Sequence, residues 1–151
     1  MAQDKYLYEI KSKPGAREFM HCLKEKGVKI GCATSNDKRL AIAALTPHGF
    51  LEKVDSLRCC CEVEKGKPAP DIYLKVAEDL GVKPENCLVF EDIPSGIKAG
   101  KAAGMTVIAV KDENTMNDLD EIKELCDYYI DDFYEMLEGK IEVEYELFSG
   151  K

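Results

Sequence analysis

Three short groups of residues carry side chains suited to phosphate chemistry. Thr34, Ser35 and Asn36 set two hydroxyls and an amide between an apolar run and a helical pattern. At such a point free backbone N–H groups and the helix field can hold a phosphate, although Ser35 or Asn36 could equally serve as a helix N-cap. Lys67 lies in Lys65-Gly66-Lys67-Pro68-Ala69-Pro70-Asp71. Two prolines stiffen the chain beyond it, so a loop aims the ammonium, and a compact positive charge balances phosphoryl oxygens; a solvated loop lysine is the plain alternative. Glu91 and Asp92 end a strand that otherwise reads as buried. Adjacent carboxylates there are costly without a cation or hydrogen-bond donors. Oxygen ligands beside a phosphate suit Mg²⁺, which keeps several waters and needs few protein ligands; helix capping by Asp92 or Ser95 is the alternative. The nucleotide P-loop pattern G-x-x-x-x-G-K-[ST] is absent.

The elements that must position these groups alternate between helix and strand. Ala16, Phe19, Met20 and Leu23 recur at helical spacing between Pro14 and Gly27, which predicts a helix over 15–26. Val28, Ile30, Cys32 and Ala33 then form a buried strand ending at Thr34, and Leu40, Ala41, Ala44 and Leu45 stripe a second helix that Pro47 ends. Residues 54–61 are a third apolar segment. A helix opening at Pro70 buries Tyr73, Val76, Ala77 and Leu80 before Gly81. Cys87–Phe90 is a strand, Ser95–Ala103 a short helix and Met105–Val110 another strand. Residues 119–138 read as helical in part, interrupted over 127–132 around a short strand at Tyr128–Ile130. In the tail over 140–151, Ile141, Val143, Tyr145 and Leu147 alternate with Glu142, Glu144 and Glu146, the period of an edge strand. This order predicts one α/β domain over 1–151, a three-layer, Rossmann-like fold with a mostly parallel sheet covered on both faces. Ligands of such sheets collect beyond the carboxyl ends of the strands, where all three groups fall.

Thr34-Ser35-Asn36, Gly66-Lys67-Pro68-Ala69-Pro70-Asp71 and the run from Val89-Phe90-Glu91-Asp92-Ile93-Pro94-Ser95-Gly96 through Gly100 to Gly104-Met105 resemble, in order and spacing, the second, third and fourth motifs of the haloacid-dehalogenase-like hydrolases. The branch they resemble is that of β-phosphoglucomutase and phosphoglycolate phosphatase, and the match runs from about Pro14 to Phe133. The resemblance implies that the Thr34 hydroxyl binds the transferred phosphoryl group, Ser35 supplies a backbone N–H and Lys67 neutralises the phosphate. It makes Asp92 a Mg²⁺ ligand, with Glu91 a second or water-mediated one. Ile93 stands where many relatives carry a serine, removing one polar contact near the metal. The implied activity is a Mg²⁺-dependent phosphatase or phosphomutase acting on a small phosphate monoester.

The family's first motif is a buried central strand followed by Asp-x-Asp, whose first aspartate attacks phosphorus and whose second acts as general acid and base. No Asp-x-Asp precedes Thr34. In one reading Tyr6-Leu7-Tyr8 replaces the central strand, Glu9 takes the nucleophile position and Lys11 the acid/base position, with little or no cap. Glutamate then reaches one methylene too far, and misplacing a reacting oxygen by about an ångström costs on the order of a hundredfold. Lys11 would put a positive charge near the Mg²⁺ position and could replace it electrostatically. In the other reading residues 1–12 are a cap remnant or linker, and the central strand comes from a complementing chain or the neighbouring strands close the gap. The alternative functions are accordingly a catalytically inactive phosphate- or partner-binding domain, or one half of a split phosphatase. Tyr6–Ile10 could also pair with Ile141–Leu147 at an edge or a homo-oligomer contact.

Charge narrows the partners. The net charge is −8, yet Met1 to Lys111 hold 18 basic and 15 acidic residues while Asp112 to Lys151 hold 3 and 14. The acidic tail argues against nucleic acid and anionic membranes, leaving a small phosphorylated metabolite as the expected ligand. Seven cysteines without a C-x-x-C pair fit a reducing cytoplasm better than a disulfide framework. Cys59, Cys60 and Cys61 would alternate across a strand, which is awkward for a zinc cluster. No apolar run approaches the roughly 20 residues of a membrane helix.

Overall fold

The computed structural model describes residues 2–4, 13–35, 37–46 and 49–139. Its strands are β1 (Ala2–Asp4), β2 (Gly31–Thr34), β3 (Ser56–Cys59), β4 (Leu88–Glu91), β5 (Thr106–Val110) and β6 (Tyr128–Ile130). They form one sheet in the order β3-β2-β1-β4-β5-β6, and every pairing is parallel. The intervening helices are α1 (Ala16–Glu25), α2 (Lys38–Leu45), α3 (Asp71–Leu80), α4 (Pro94–Ala102), α5 (Leu119–Leu125) and α6 (Tyr134–Leu137). This is the doubly covered parallel α/β sheet that the sequence implied.

Successive residues of a strand face opposite sides, and both sides here are apolar. Leu88 and Phe90 of β4 join one core with Phe19, Met20, Leu23, Ile30, Ile108 and Phe133. Val89 joins the other with Tyr73, Val76, Leu80, Ile97, Val107 and Ile122. A strand buried on two faces has no polar alternation to show, which is why these strands read as continuous runs. The aromatic contacts Phe19–Phe90, Phe19–Phe133 and Phe90–Phe133, with centroids 5.4, 5.7 and 5.2 Å apart, tie α1 to β4 and to the turn after β6.

The entry to α1 is fixed from that same turn. Phe133 N donates to Pro14 O at 2.9 Å, and Gly15 takes φ 84°. A Cβ on Gly15 would stand 2.7 Å from Tyr134 N, so both the left-handed backbone and the close approach require glycine. Lys13, one residue before Pro14, is thereby carried to the carboxyl rim of the sheet.

The central slot corrects the sequence reading. Between β2 and β4 runs Ala2–Asp4, with Gln3 paired to both Cys32 and Phe90. The slot is filled by this chain and not by a second polypeptide, and it is filled ahead of Tyr6-Leu7-Tyr8, which lie outside the described residues. Ile141–Leu147 also lie outside them. Elsewhere the differences are of up to three residues, the largest at β2, which opens at Gly31 and not at Val28, and Tyr128–Ile130 is the strand expected, paired to β5. Among the described residues no helix is long and apolar enough to cross a membrane.

Candidate functional site

At the carboxyl ends of β2 and β4 the chain buries four polar side chains together. Thr34 ends β2, and Glu91 and Asp92 end β4; all three are at most 2% exposed. Lys67 reaches across from its loop. Its Nζ donates to Glu91 Oε2 at 2.8 Å and to Ala33 O at 3.4 Å, so one ammonium spans the residue before Thr34 and the residue before Asp92. Its side chain is 4% exposed, which removes the solvated-loop alternative. The Lys67–Pro68 peptide is cis.

Glu91 is held from three sides. Besides Lys67, Tyr73 Oη donates to Oε2 at 2.6 Å, and Asp92 N donates to Oε1 at 3.2 Å. Tyr73 also places its ring under the Lys67 ammonium, 5.1 Å from Nζ to the centroid, a favourable position for a cation over a π face. The first turn of α4 lies directly on the carboxylate, since a Cβ on Gly96 would come within 1.9 Å of Glu91 Cδ. The donors compensate a charge that would otherwise be prohibitively desolvated. The consequence is that Glu91 spends its oxygens on orienting Lys67.

Asp92 faces a different partner. Lys13 Nζ lies 3.9 Å from Asp92 Oδ2 and 3.1 Å from Asp112 Oδ2, and it donates to Lys111 O at 2.8 Å. Asp112 follows the end of β5. Burial pushes its carboxyl up, but the neighbouring Asp92 side chain and the hydrogen bonds that Asn114 N and Lys13 donate to it outweigh that and hold it below the ordinary aspartate value. Lys13, Tyr73 and Asp112 were not singled out from the sequence. Tyr73 read as a core residue, Asp112 as the first residue of an acidic face, and nothing marks Lys13 except its place before Pro14-Gly15.

The remaining expected residues divide as follows. Ser35 is exposed beyond β2, its carbonyl accepting from the Cys60 thiol at 3.2 Å. Asn36, Glu9 and Lys11 lie outside the described residues. The N-cap of α2 is Asp37, whose carboxylate accepts from Arg39 N at 2.7 Å, so Ser35 is released from that role. Likewise α4 starts after Ile93 without a side-chain cap, and Asp92 does not serve as one. The chain does contain one Asp-x-Asp, Asp118-Leu119-Asp120. It opens α5 after β5 with both aspartates exposed, far in sequence from the central strand. Cys60 and Cys61 leave β3 in a 3-10 turn, exposed, while Cys59 is buried.

A divalent ion at this rim would find oxygen donors of the kind Mg²⁺ takes. Among the described residues no group of three or more His, Cys, Asp or Glu is disposed to hold a metal, so Asp92 would bind it together with waters and phosphoryl oxygens. One or two carboxylates are the usual protein share for Mg²⁺ beside a phosphate.

A hydroxyl, an ammonium and two acids thus gather at the carboxyl rim of a parallel sheet, where ligands of such sheets collect. The chain belongs to the haloacid dehalogenase-like hydrolases, whose family model matches residues 3–104. It is 41% identical over 96 residues to the phosphorylated carbohydrates phosphatase of Thermotoga maritima, covering 64% of this chain and 44% of that protein. Among solved structures it resembles the β-phosphoglucomutase of Clostridium difficile, with TM-score 0.68 and 27% identity over 83% of this chain and 55% of that one. CbbY of Rhodobacter sphaeroides in complex with phosphate is similar at TM-score 0.73 and 28% identity, over 82% and 55%. The chain spans half or less of the length of the first curated relatives it matches.

Proposed function

We propose that this chain binds the phosphoryl group of a small phosphate monoester on the rim made by Thr34, Ser35 and Lys67, and transfers it to a carboxylate of its own. The observation that carries this reading is the Lys67 ammonium, fixed by Glu91 and Ala33 O between two strand ends. A buried cation held so rigidly is preorganised for an anion and costs no reorganisation when the anion arrives. Glu91 and Tyr73 hold Lys67 in place, Thr34 offers its hydroxyl to a phosphoryl oxygen, and Asp92 carries the metal. Mg²⁺, when bound, would neutralise charge on the phosphoryl oxygens.

In the transfer step a carboxylate oxygen bonds to phosphorus as the P–O ester bond breaks, and the departing alkoxide takes a proton from solvent water; a second water then hydrolyses the acyl phosphate, releasing inorganic phosphate and restoring the carboxylate. Two carboxylates compete for the attacking role. Asp4 ends β1, the central strand, in register with Ala33, and so takes the strand-then-acid position; Glu9, farther along the chain, is the second candidate. Purified protein with excess Mg²⁺ and a panel of sugar and polyol phosphates should release phosphate. Quenched samples should carry a phosphoryl group on a peptide containing one of these acids, lost in Asp4→Asn or in Glu9→Gln. No release from any monoester, together with no adduct, would sink the catalytic reading.

A second reading, phosphate binding without turnover, is favoured by the Lys13 ammonium beside Asp92 and by Asp4-Lys5-Tyr6, which offers no second acid. Thermal stabilisation by inorganic phosphate without release from any ester would select it.

A further inference from the structure

We propose that Lys13 is a tethered competitor of the divalent cation: it and a metal ion take turns at Asp92, with Asp112 as the place to which Lys13 withdraws. The inference rests on the reading of Asp92 as metal carrier and adds a control that reading does not contain. Lys13 is not a surface lysine that happens to point inward. Its side chain is 12% exposed, the next residue is anchored through Pro14 O to Phe133 N, and Gly15 packs so closely on that turn that a Cβ there would stand 2.7 Å from Tyr134 N.

The ammonium sits between two acids at unequal distances, 3.1 Å from Asp112 and 3.9 Å from Asp92, with Lys111 O as its third neighbour. A divalent ion on Asp92 would meet this ammonium within a few ångströms, and like charges so close in a buried site repel strongly. Lys13 already donates to Asp112 at 3.1 Å and to Lys111 O at 2.8 Å, so a small shift away from Asp92 relieves the repulsion while the ammonium keeps both partners, as a buried pair demands. A chain with Lys13 in place therefore binds divalent ions weakly, and the empty site stays neutralised by its own side chain.

Mn²⁺ binding, followed by the EPR signal of the free ion, tests this on the full chain. Lys13→Gln should bind Mn²⁺ at least about tenfold more tightly than the wild type, and Lys13→Arg, which keeps the charge, should stay within about twofold of it. A wild-type chain that binds Mn²⁺ with an affinity Lys13→Gln leaves unchanged overturns the competition while the metal reading stands. No binding to any of the three proteins overturns both. If Lys13→Gln fails to fold, the wild type itself decides. Its Lys13 Nζ resonance, assigned by its loss in Lys13→Arg, should shift as Mg²⁺ saturates the site; a resonance unmoved while the metal binds refutes the proposal.

Discussion

Two ion-pair clusters of nearly equal geometry sit at different depths, and depth decides what each is for. At the rim, Lys67 meets Glu91 at 2.8 Å with side chains 4% and 0% exposed. On the β3 edge, Arg58 meets Asp79 and Glu62 at 2.6 Å each, with side chains 21–28% exposed. Ser56 donates to the same Asp79 at 2.8 Å. Distance alone would rank the outer cluster first. Yet exposed pairs are screened and commonly worth under about 1 kcal/mol, while removing one partner of a buried pair strands the other charge at about 3–5 kcal/mol. The outer cluster braces a strand edge; the inner one fixes a buried ammonium between two strand ends.

Breaking the inner cluster should therefore produce the largest effect. Lys67→Met leaves Glu91 buried without its cation, and urea unfolding should show a loss of about 3–5 kcal/mol along with loss of phosphate-induced stabilisation. Lys67→Met, Glu91→Gln together should recover much of the stability and none of the phosphate response. Recovery of both would mean that the pair is only structural. Next comes Gly96→Ala. Its Cβ would overlap the Glu91 carboxylate at 1.9 Å, and overpacking of this kind costs about 1–3 kcal/mol. Because the displaced group is the one that aims Lys67, phosphate affinity should fall with stability. Tyr73→Phe removes one donor from a buried carboxylate and should cost about 1.5 kcal/mol, with the ring stacking under Lys67 retained.

The inner cluster also shows which parts of a site a sequence reveals. Lys67, Glu91 and Asp92 stood out because two prolines, a strand end and a run of small residues leave few roles for charged side chains. The parallel sheet was visible for the related reason that runs such as Leu88–Phe90 are apolar on both faces. Tyr73 was hidden because its ring does belong to the helix stripe, and only its hydroxyl, reaching Glu91, belongs to the site. Lys13 and Asp112 were hidden because they meet across 99 positions of chain, a contact set by tertiary docking of α1 on the turn after β6. Ala2–Asp4 was passed over because three residues with two polar side chains carry no periodicity at all. Its place follows from the gap between β2 and β4, a property of the sheet and not of those residues.

The smallest effect belongs to the outer cluster, and pH separates it from the inner one. The Arg58 guanidinium and the Ser56 hydroxyl hold Asp79 down to about 2, against an ordinary 3.8. Burial pushes Glu62 up, but hydrogen bonds from Arg58, Lys38 and Cys59 bring it down to about 2. Both folded values lie below the unfolded ones, so the unfolded chain takes up protons first as acid is added. The contribution is whole above about pH 5 and is lost as pH falls toward about 2. Asp79→Asn should accordingly cost at most about 1 kcal/mol at pH 7, and the gap between variant and wild type should close in urea titrations carried down to about pH 2. A gap that persists undiminished at that pH would mean that Asp79 acts through packing on Ser56 and Arg58, and that depth does not separate the two clusters as argued.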